Sequence, residues 1–358
     1  MRFALWGAML CAALAATAPV HVRGSARGVA EGRPVEVTVD REGDRELVRA
    51  CSSGVCDGTW FDGTTRWRFG INEILVPDER PAGDYALLAQ ARAAAVPVDG
   101  PLAPPAGPAL SLASAATVPL SGDPVPVVPC RLAGHSARCL LDSGTTPSLI
   151  TLQQAEALGL EARGALDIVG FATVTTGIVT SGPLVLGAAT FDRVSFAVVP
   201  RSQAVGFDVV IGADLLRRLE VVLDHSGRTA RVAAPGTVVP AHPIPLRFRA
   251  GVPVTGIELG GRAAEALVDT GDSAILSEGY GAYREGPQWP VVGRTTAAGI
   301  GGSDDVLDVA LPSAAIGPVP LGPTRMLVRR TQREAHVGVG LWTHCALAVD
   351  EANATMGC

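Results

Sequence analysis

GHSARCLLDSG, residues 134–144, and GRAAEALVDTG, residues 261–271, decide how this chain folds. In both, eight positions separate the leading Gly from an Asp, and a hydroxyl residue and a second Gly follow it. Asp142 and Asp269 lie 127 positions apart. Gly212 in VIGADLL (210–216) and Gly338 in VGVGLW (337–342) lie 126 apart, as do Asp224 and Asp350. Landmarks that keep one offset over about 80 residues predict an internal repeat of a whole lobe. An isolated Asp-Ser/Thr-Gly tripeptide says little, because Asp and Gly suit ordinary turns. Here Leu140-Leu141 and Leu267-Val268 precede the acids, the pattern of a buried strand delivering each Asp into the core. The Ser143 and Thr270 hydroxyls can bond neighbouring backbone or the partner loop, and Gly144 and Gly271 permit close backbone approach. Two such loops, one per lobe, are expected to meet at a pseudo-two-fold axis.

Outward from the motif, composition favours an all-β class. The 358 residues are 47% hydrophobic and 18% charged, enough apolar material for sizeable cores. The 42 Gly and 27 Pro, set between short apolar runs, read as turns between strands. Net charge is −6, no dense basic stretch occurs, and all 29 basic residues are Arg, so a nucleic-acid partner is not expected. Residues 117–234 and 244–358 are read as the two lobes, with a Pro-rich joint between them. Residues 96–116 are read as a Pro/Ala-rich linker, and 29–95, with Val35–Val39 and Thr65–Phe69, as a small β-rich module. In the first lobe, Leu152–Leu158 and Leu215–Leu219 read as short helices. Asp224 reads as a hairpin turn, and the six His, scattered along the chain, suggest no site.

Two carboxylates brought together cannot both ionise easily; one pKa rises, the other falls, and the pair shares a proton. Such a pair can activate water as general base and protonate an amide nitrogen as general acid. That chemistry calls for no metal, cofactor or covalent intermediate.

At these residues the repeat resembles the retropepsin-like aspartic proteases, the retroviral and bacterial relatives of pepsin. The likeness rests on LDSGT (141–145), VDTGD (268–272) and IGADLL (211–216), and it covers about 117–358. AGIGG (298–302) resembles the glycine-rich flap of retroviral proteases, and Val169-Gly170-Phe171 is its first-lobe counterpart. The resemblance implies a closed or near-closed β-barrel-like lobe used twice, hence a monomer. It implies that Asp142 and Asp269 are catalytic. It also implies that Ser143, Gly144, Thr145, Thr270, Gly271 and Asp272, with the flap residues Gly170, Phe171, Gly299, Ile300 and Gly301, hold an extended polypeptide substrate. Asp272 departs from the pattern, standing where a small or hydroxyl residue is usual; it either raises the proton affinity of the pair or points outward. Two other readings remain open. Both motifs are turns in a non-catalytic β protein, or the chain is a peptide-binding or assembly protein that keeps the fold without catalysis.

The first residues read as an export signal ending near residue 18: Arg2, then an apolar run from Phe3 to Ala16, with small residues at its end. An uncleaved anchor is the alternative, but the run is short for a span. Of seven Cys, Cys11 falls in the signal; Cys51/Cys56, Cys130/Cys139 and Cys345/Cys358 form local pairs and read as disulfides of an exported chain. The expectation is a periplasmic or secreted protein without stable membrane insertion. The 29–95 module is a propeptide or an accessory domain; its acidic balance and paired Cys favour the latter.

Overall fold

Each Asp loop is delivered by a tight hairpin. The computed structural model describes residues 19–30, 32–77, 87–200, 206–342 and 345–358, so the export signal read at 1–18 lies outside the described residues. Val127–Leu132 pairs antiparallel with His135–Asp142, and Val252–Leu259 with Arg262–Asp269. The connecting turns, Ala133-Gly134 and Gly260-Gly261, have positive φ at both positions. That geometry matches the twist of the flanking strands. Burial alternates along Val127–Leu132 and then becomes continuous over Cys139, Leu140 and Leu141. The strand thus passes from half-exposed to fully enclosed as it reaches Asp142.

The fold is all-β. The first ten-stranded sheet runs Arg163–Val169, Thr173–Ser181, Val194–Val199, Leu149–Thr151, Val209–Gly212, His135–Asp142, Val127–Leu132, Leu184–Leu186, Ala189–Phe191, Leu110–Leu112. The second runs Val291–Gly299, Gly302–Leu311, Thr324–Arg329, Leu276–Gly279, Ala335–Gly338, Arg262–Asp269, Val252–Leu259, Ala314–Ile316, Val319–Pro320, with Arg247–Arg249 also on Val252–Leu259. The two orders correspond strand for strand through Ala189–Phe191 and Val319–Pro320. In each, the strand ending in the Asp lies parallel to the strand ending in Gly212 or Gly338. Neither sheet closes on itself, so of the closed or near-closed lobe that the resemblance implied, the fully closed form is not adopted. A long hairpin occupies one edge of each sheet and a short strand the other, and these edges do not pair.

A third sheet joins the lobes. Its six strands are Ile244–Pro245, Thr355–Gly357, Ala346–Asp350, Glu220–Asp224, Thr229–Ala233 and Ala116–Pro119, three from the region of each lobe. The largest apolar cluster is continuous across both lobes, with Leu141, Ile211, Val268 and Val337 beneath the two loops. A smaller one, with Leu140, Leu149, Ile168 and Val210, lies under the first-lobe hairpin.

The N-terminal segment forms a seven-stranded antiparallel sheet from His21 to Pro97, with the helix Leu88–Ala93 against it. It starts before residue 29, since His21–Ala30 pairs with Arg33–Glu42 along its whole length. Residues 96–116 are not a free tether. Val96–Pro97 pairs with the first strand, Leu102 is buried beside Trp60 and Phe69, and Leu110–Leu112 edges the first-lobe sheet. Proline-rich chain is already extended, and these apolar side chains gain burial by lying down on it. The module docks through Asn72, whose amide bonds the Ser195 backbone and, at 2.7 Å, the half-buried Asp214 carboxylate. Ile74 enters the main core, and Arg33 pairs with Asp167 on the first-lobe hairpin. Three disulfides close, Cys51–Cys56, Cys130–Cys139 and Cys345–Cys358. Among the described residues no helix is long and apolar enough to cross a membrane.

Candidate active site

The two Asp loops interlock. Ser143 Oγ donates to the Val268 carbonyl at 2.7 Å and accepts from the Thr270 amide at 3.1 Å. Reciprocally, Thr270 Oγ1 donates to the Leu141 carbonyl at 2.8 Å and accepts from the Ser143 amide at 3.0 Å. Four buried hydrogen bonds thus fix one loop against the other across the lobe boundary. Such bonds are costly to break, because each lost partner strands a desolvated group. Ser143 and Thr270, read above as substrate contacts, are buried in this joint and do not face the cleft.

This joint sets the acids side by side. A Cβ on Gly271 would lie 2.5 Å from the Asp142 carboxyl carbon, and one on Gly144 would lie 2.5 Å from Asp269 Oδ1. Each Gly is therefore the floor on which the opposite carboxyl rests. The two carboxyls lie close enough that each acts on the ionisation of the other. Asp142 also accepts from the Gly144 amide (2.9 Å, Oδ1) and from Thr145 Oγ1 (2.8 Å, Oδ2). Asp269 accepts from the Gly271 and Asp272 amides at 3.0 and 3.1 Å, both on Oδ1.

The environments of the pair differ. Burial pushes Asp142 well above the usual carboxylate range, the Asp269 charge adds to this, and the Thr145 hydroxyl only partly opposes it. Burial would raise Asp269 too, but His336 beside it, the Asp142 hydrogen bond and the Arg329 charge bring it below the usual value. His336 Nδ1 lies 3.1 Å from Asp269 Oδ2, a close contact whose angle does not make a hydrogen bond. This corrects the view that the His residues suggest no site. The available signal was a titratable residue at position 336 where the first lobe, at the matching strand register, has Val210.

Asp272 does not point outward. It is buried, accepting from the Ala274 amide, from Ser277 Oγ at 2.9 Å and from Arg329 Nη2 at 2.7 Å. Asp269, Asp272 and His336 bring donor atoms within 4.8 Å of one another. With the Arg329 guanidinium already on Asp272, the set reads as an ion-pair chain and not as a metal centre. Below the pair, Glu351 is buried beside Leu141, Ser143 and Thr270 in the wall of a small void, and neither of its carboxyl oxygens has a hydrogen-bond partner. Asp224 caps its own turn through Ser226 and Gly227, away from the pair.

Two hairpins roof the site. Their tips meet: the Phe171 amide donates to the Ile300 carbonyl at 2.7 Å, and Ile300 packs against the apolar cluster under the first-lobe hairpin. Gly170 and Gly301 stand where a Cβ would strike the opposite tip, and Gly299 lies against the Phe171 ring. Arg329 spans site and roof, its guanidinium 5.8 Å from the Phe171 ring centre.

Residues 128–215, which hold the first Asp loop and its neighbouring strands, match the family described as aspartyl protease. A retropepsin-like aspartic protease from Rickettsia conorii aligns at 13% identity and TM-score 0.26, over 36% of this chain and 96% of that one. Basic 7S globulin from soybean aligns at 11% identity and TM-score 0.39, over 70% of this chain and 94% of that one. No curated protein matches the chain. Over residues 128–215 the chain is thus similar to aspartyl proteases, and the second lobe repeats the strand order of that matched lobe.

Proposed function

We propose that the chain is an exported aspartic endopeptidase that hydrolyses peptide bonds with the Asp142–Asp269 pair. The observation that carries this reading is the juxtaposition of two half-buried carboxyls, one from each lobe, each resting on the glycine of the opposite loop under a roof of two hairpins. One carboxylate takes a proton from water as the water oxygen attacks the peptide carbonyl carbon. The other gives its proton to the leaving nitrogen as the C–N bond breaks, and the pair then redistributes the proton it gained. The roof tips, Gly170-Phe171 and Gly299–Gly301, would part to admit an extended polypeptide and bond its backbone on closing. Both lobes come from one chain, which supports a monomer, and their common strand order supports an internal duplication.

The apolar, small-residue start of the sequence and the three disulfides support export to a periplasmic or extracellular compartment. The N-terminal module is read as an accessory domain, since Asn72 and Ile74 are built into the first lobe. A proteomic cleavage assay at several pH values, with and without a pepstatin-type inhibitor, tests the reading. Wild type should cleave, and Asp142→Asn and Asp269→Asn should each lose about a thousandfold or more of kcat/KM. Cleavage that survives both substitutions overturns the mechanism. Peptide binding without cleavage by wild type favours the non-catalytic binding protein.

A further inference from the structure

The pair is built from two near-identical loops, yet the lobes support it differently. In the first lobe, Thr145 supplies a hydroxyl to Asp142 Oδ2 at 2.8 Å. Asp272 holds the matching position in the second lobe and has no proton to offer as an anion. Its carboxylate is turned away, onto Ser277 and Arg329. The place facing Asp269 Oδ2 is filled instead by His336 Nδ1 at 3.1 Å, from the adjacent parallel strand. His336 pairs in register with Leu267, two residues before Asp269; in the first lobe Val210 pairs with Leu140, two residues before Asp142. Loss of a hydroxyl at 272 and gain of an imidazole at 336 thus occur together, in contact, in one lobe only.

We propose that His336, anchored between Asp269 and the Asp272–Arg329 ion pair, is a positioning residue that fixes Asp269 as the ionised member of the catalytic pair and leaves the proton on Asp142. The inference rests on reading the pair as catalytic. A hydroxyl serves a protonated or an ionised carboxyl equally well, since it can donate or accept. An imidazole in its protonated form carries a positive charge, which at this distance favours the anion alone. The neighbouring charges fit. His336 Nδ1 is 3.8 Å from Asp272 Oδ2, and Arg329 closes the row on the far side of Asp272. On the strand Leu276–Gly279, Ser277 is bonded to Asp272, and Glu278 is neutralised by Arg262. Glu334, two residues before His336, is paired with Arg249. From the first lobe, Asp142 is the titratable group that faces Asp269, and its burial and the Asp269 charge both favour its protonated form. Asp269 is then the base that takes the proton of water, and Asp142 the acid that protonates the leaving nitrogen.

Reactivity reads out the proton's position without a substrate. An epoxide alkylates a carboxylate anion, whereas a diazoacetyl ester consumes the proton of a carboxylic acid as it esterifies it. The full chain is treated with each reagent at mildly acidic pH, and the labelled Asp is located by peptide mass mapping. In wild type, epoxide should favour Asp269 and diazo ester Asp142 by about tenfold or more, the ratio that one pKa unit of asymmetry produces. His336→Val, the residue the first lobe uses, should bring both ratios close to one. His336→Asn, which keeps a neutral donor at the site, should do the same and guards against a folding defect of the first variant. Equal labelling in wild type, reversed labelling, or ratios unchanged in both variants overturn the proposal. Asymmetric labelling in a chain that cleaves no peptide would defeat the protease reading and leave the role of His336 standing.

Discussion

At the residue scale, the site depends on two glycines as much as on two aspartates. Gly144 and Gly271 are each in contact with the opposite carboxyl, so the hydrogen side chain is a requirement of distance rather than of backbone angle. Gly144→Ala places a methyl carbon 2.5 Å from Asp269 Oδ1, and the atoms behind that contact are the partner loop, which the buried hydrogen bonds of Ser143 and Thr270 hold rigid. The acids must separate. The expected outcome is a loss of kcat/KM of about a hundredfold or more, the scale set by misplacing reacting groups by an ångström. Peptide hydrolysis measured alongside thermal unfolding checks it, and full activity in Gly144→Ala would mean that the observed contact is not the working one. The residues of this joint were legible in the sequence as motif members. Their division of labour was not, because a serine that faces a peptide and a serine that grips a loop are spelled alike.

At the scale of the element, the hairpins that roof the site behave as a matched pair. Gly301 has φ of +88° and its Cβ position lies 2.5 Å from the Ala172 carbonyl oxygen on the opposite tip. Gly301→Val conflicts with both the backbone angle and the contact, so the tips are held apart. Roof closure should fail while the lobes keep their cores. We expect kcat/KM to fall about tenfold or more, with the melting temperature nearly unchanged, because exposed hairpin tips contribute little to global stability. A drop in melting temperature matching the loss of activity would show instead that the tips are structural. The AGIGG segment pointed to a flap by its resemblance to the glycine-rich flap of retroviral proteases. Its meeting with Phe171 was beyond reach, since the two tips are far apart in sequence and their register is set by how the lobes dock.

Across the whole molecule, buried acids at the lobe boundary tie folding to pH. Burial raises Glu351 well above its ordinary 4.5; Arg217 opposes this, and the charges of Asp214 and Asp142 add to it. A carboxyl raised in this way binds its proton more tightly in the folded chain than in the unfolded one. Its contribution to stability is complete below the unfolded value of 4.5 and is lost as pH rises through the folded value. Glu351→Gln removes that dependence. Unfolding free energy measured in urea from about pH 4.5 to neutrality should fall less steeply in the variant than in wild type. An equal slope in both would show that Glu351 is ionised in the folded chain. Glu351 went unremarked in the sequence because its environment is assembled from the loops of both lobes and the third sheet, segments scattered from Leu141 to Val349.

The sequence by itself determined the all-β class, the doubled Asp motif, the three cysteine pairs and the two roof segments. All but the roof segments, which rest on the resemblance, are written in local spacing: alternation, turn glycines, and an offset of 126 or 127. Only the tertiary structure decided that 96–116 is packed chain, that the N-terminal sheet is anchored in the first lobe, and that the site is asymmetric. The asymmetry comes from Asp272, Arg329 and His336, which meet Asp269 from a loop and two strands. A charge acts through distance in space, and along the chain these groups show no common spacing by which the pair of aspartates could be seen to have unequal neighbours.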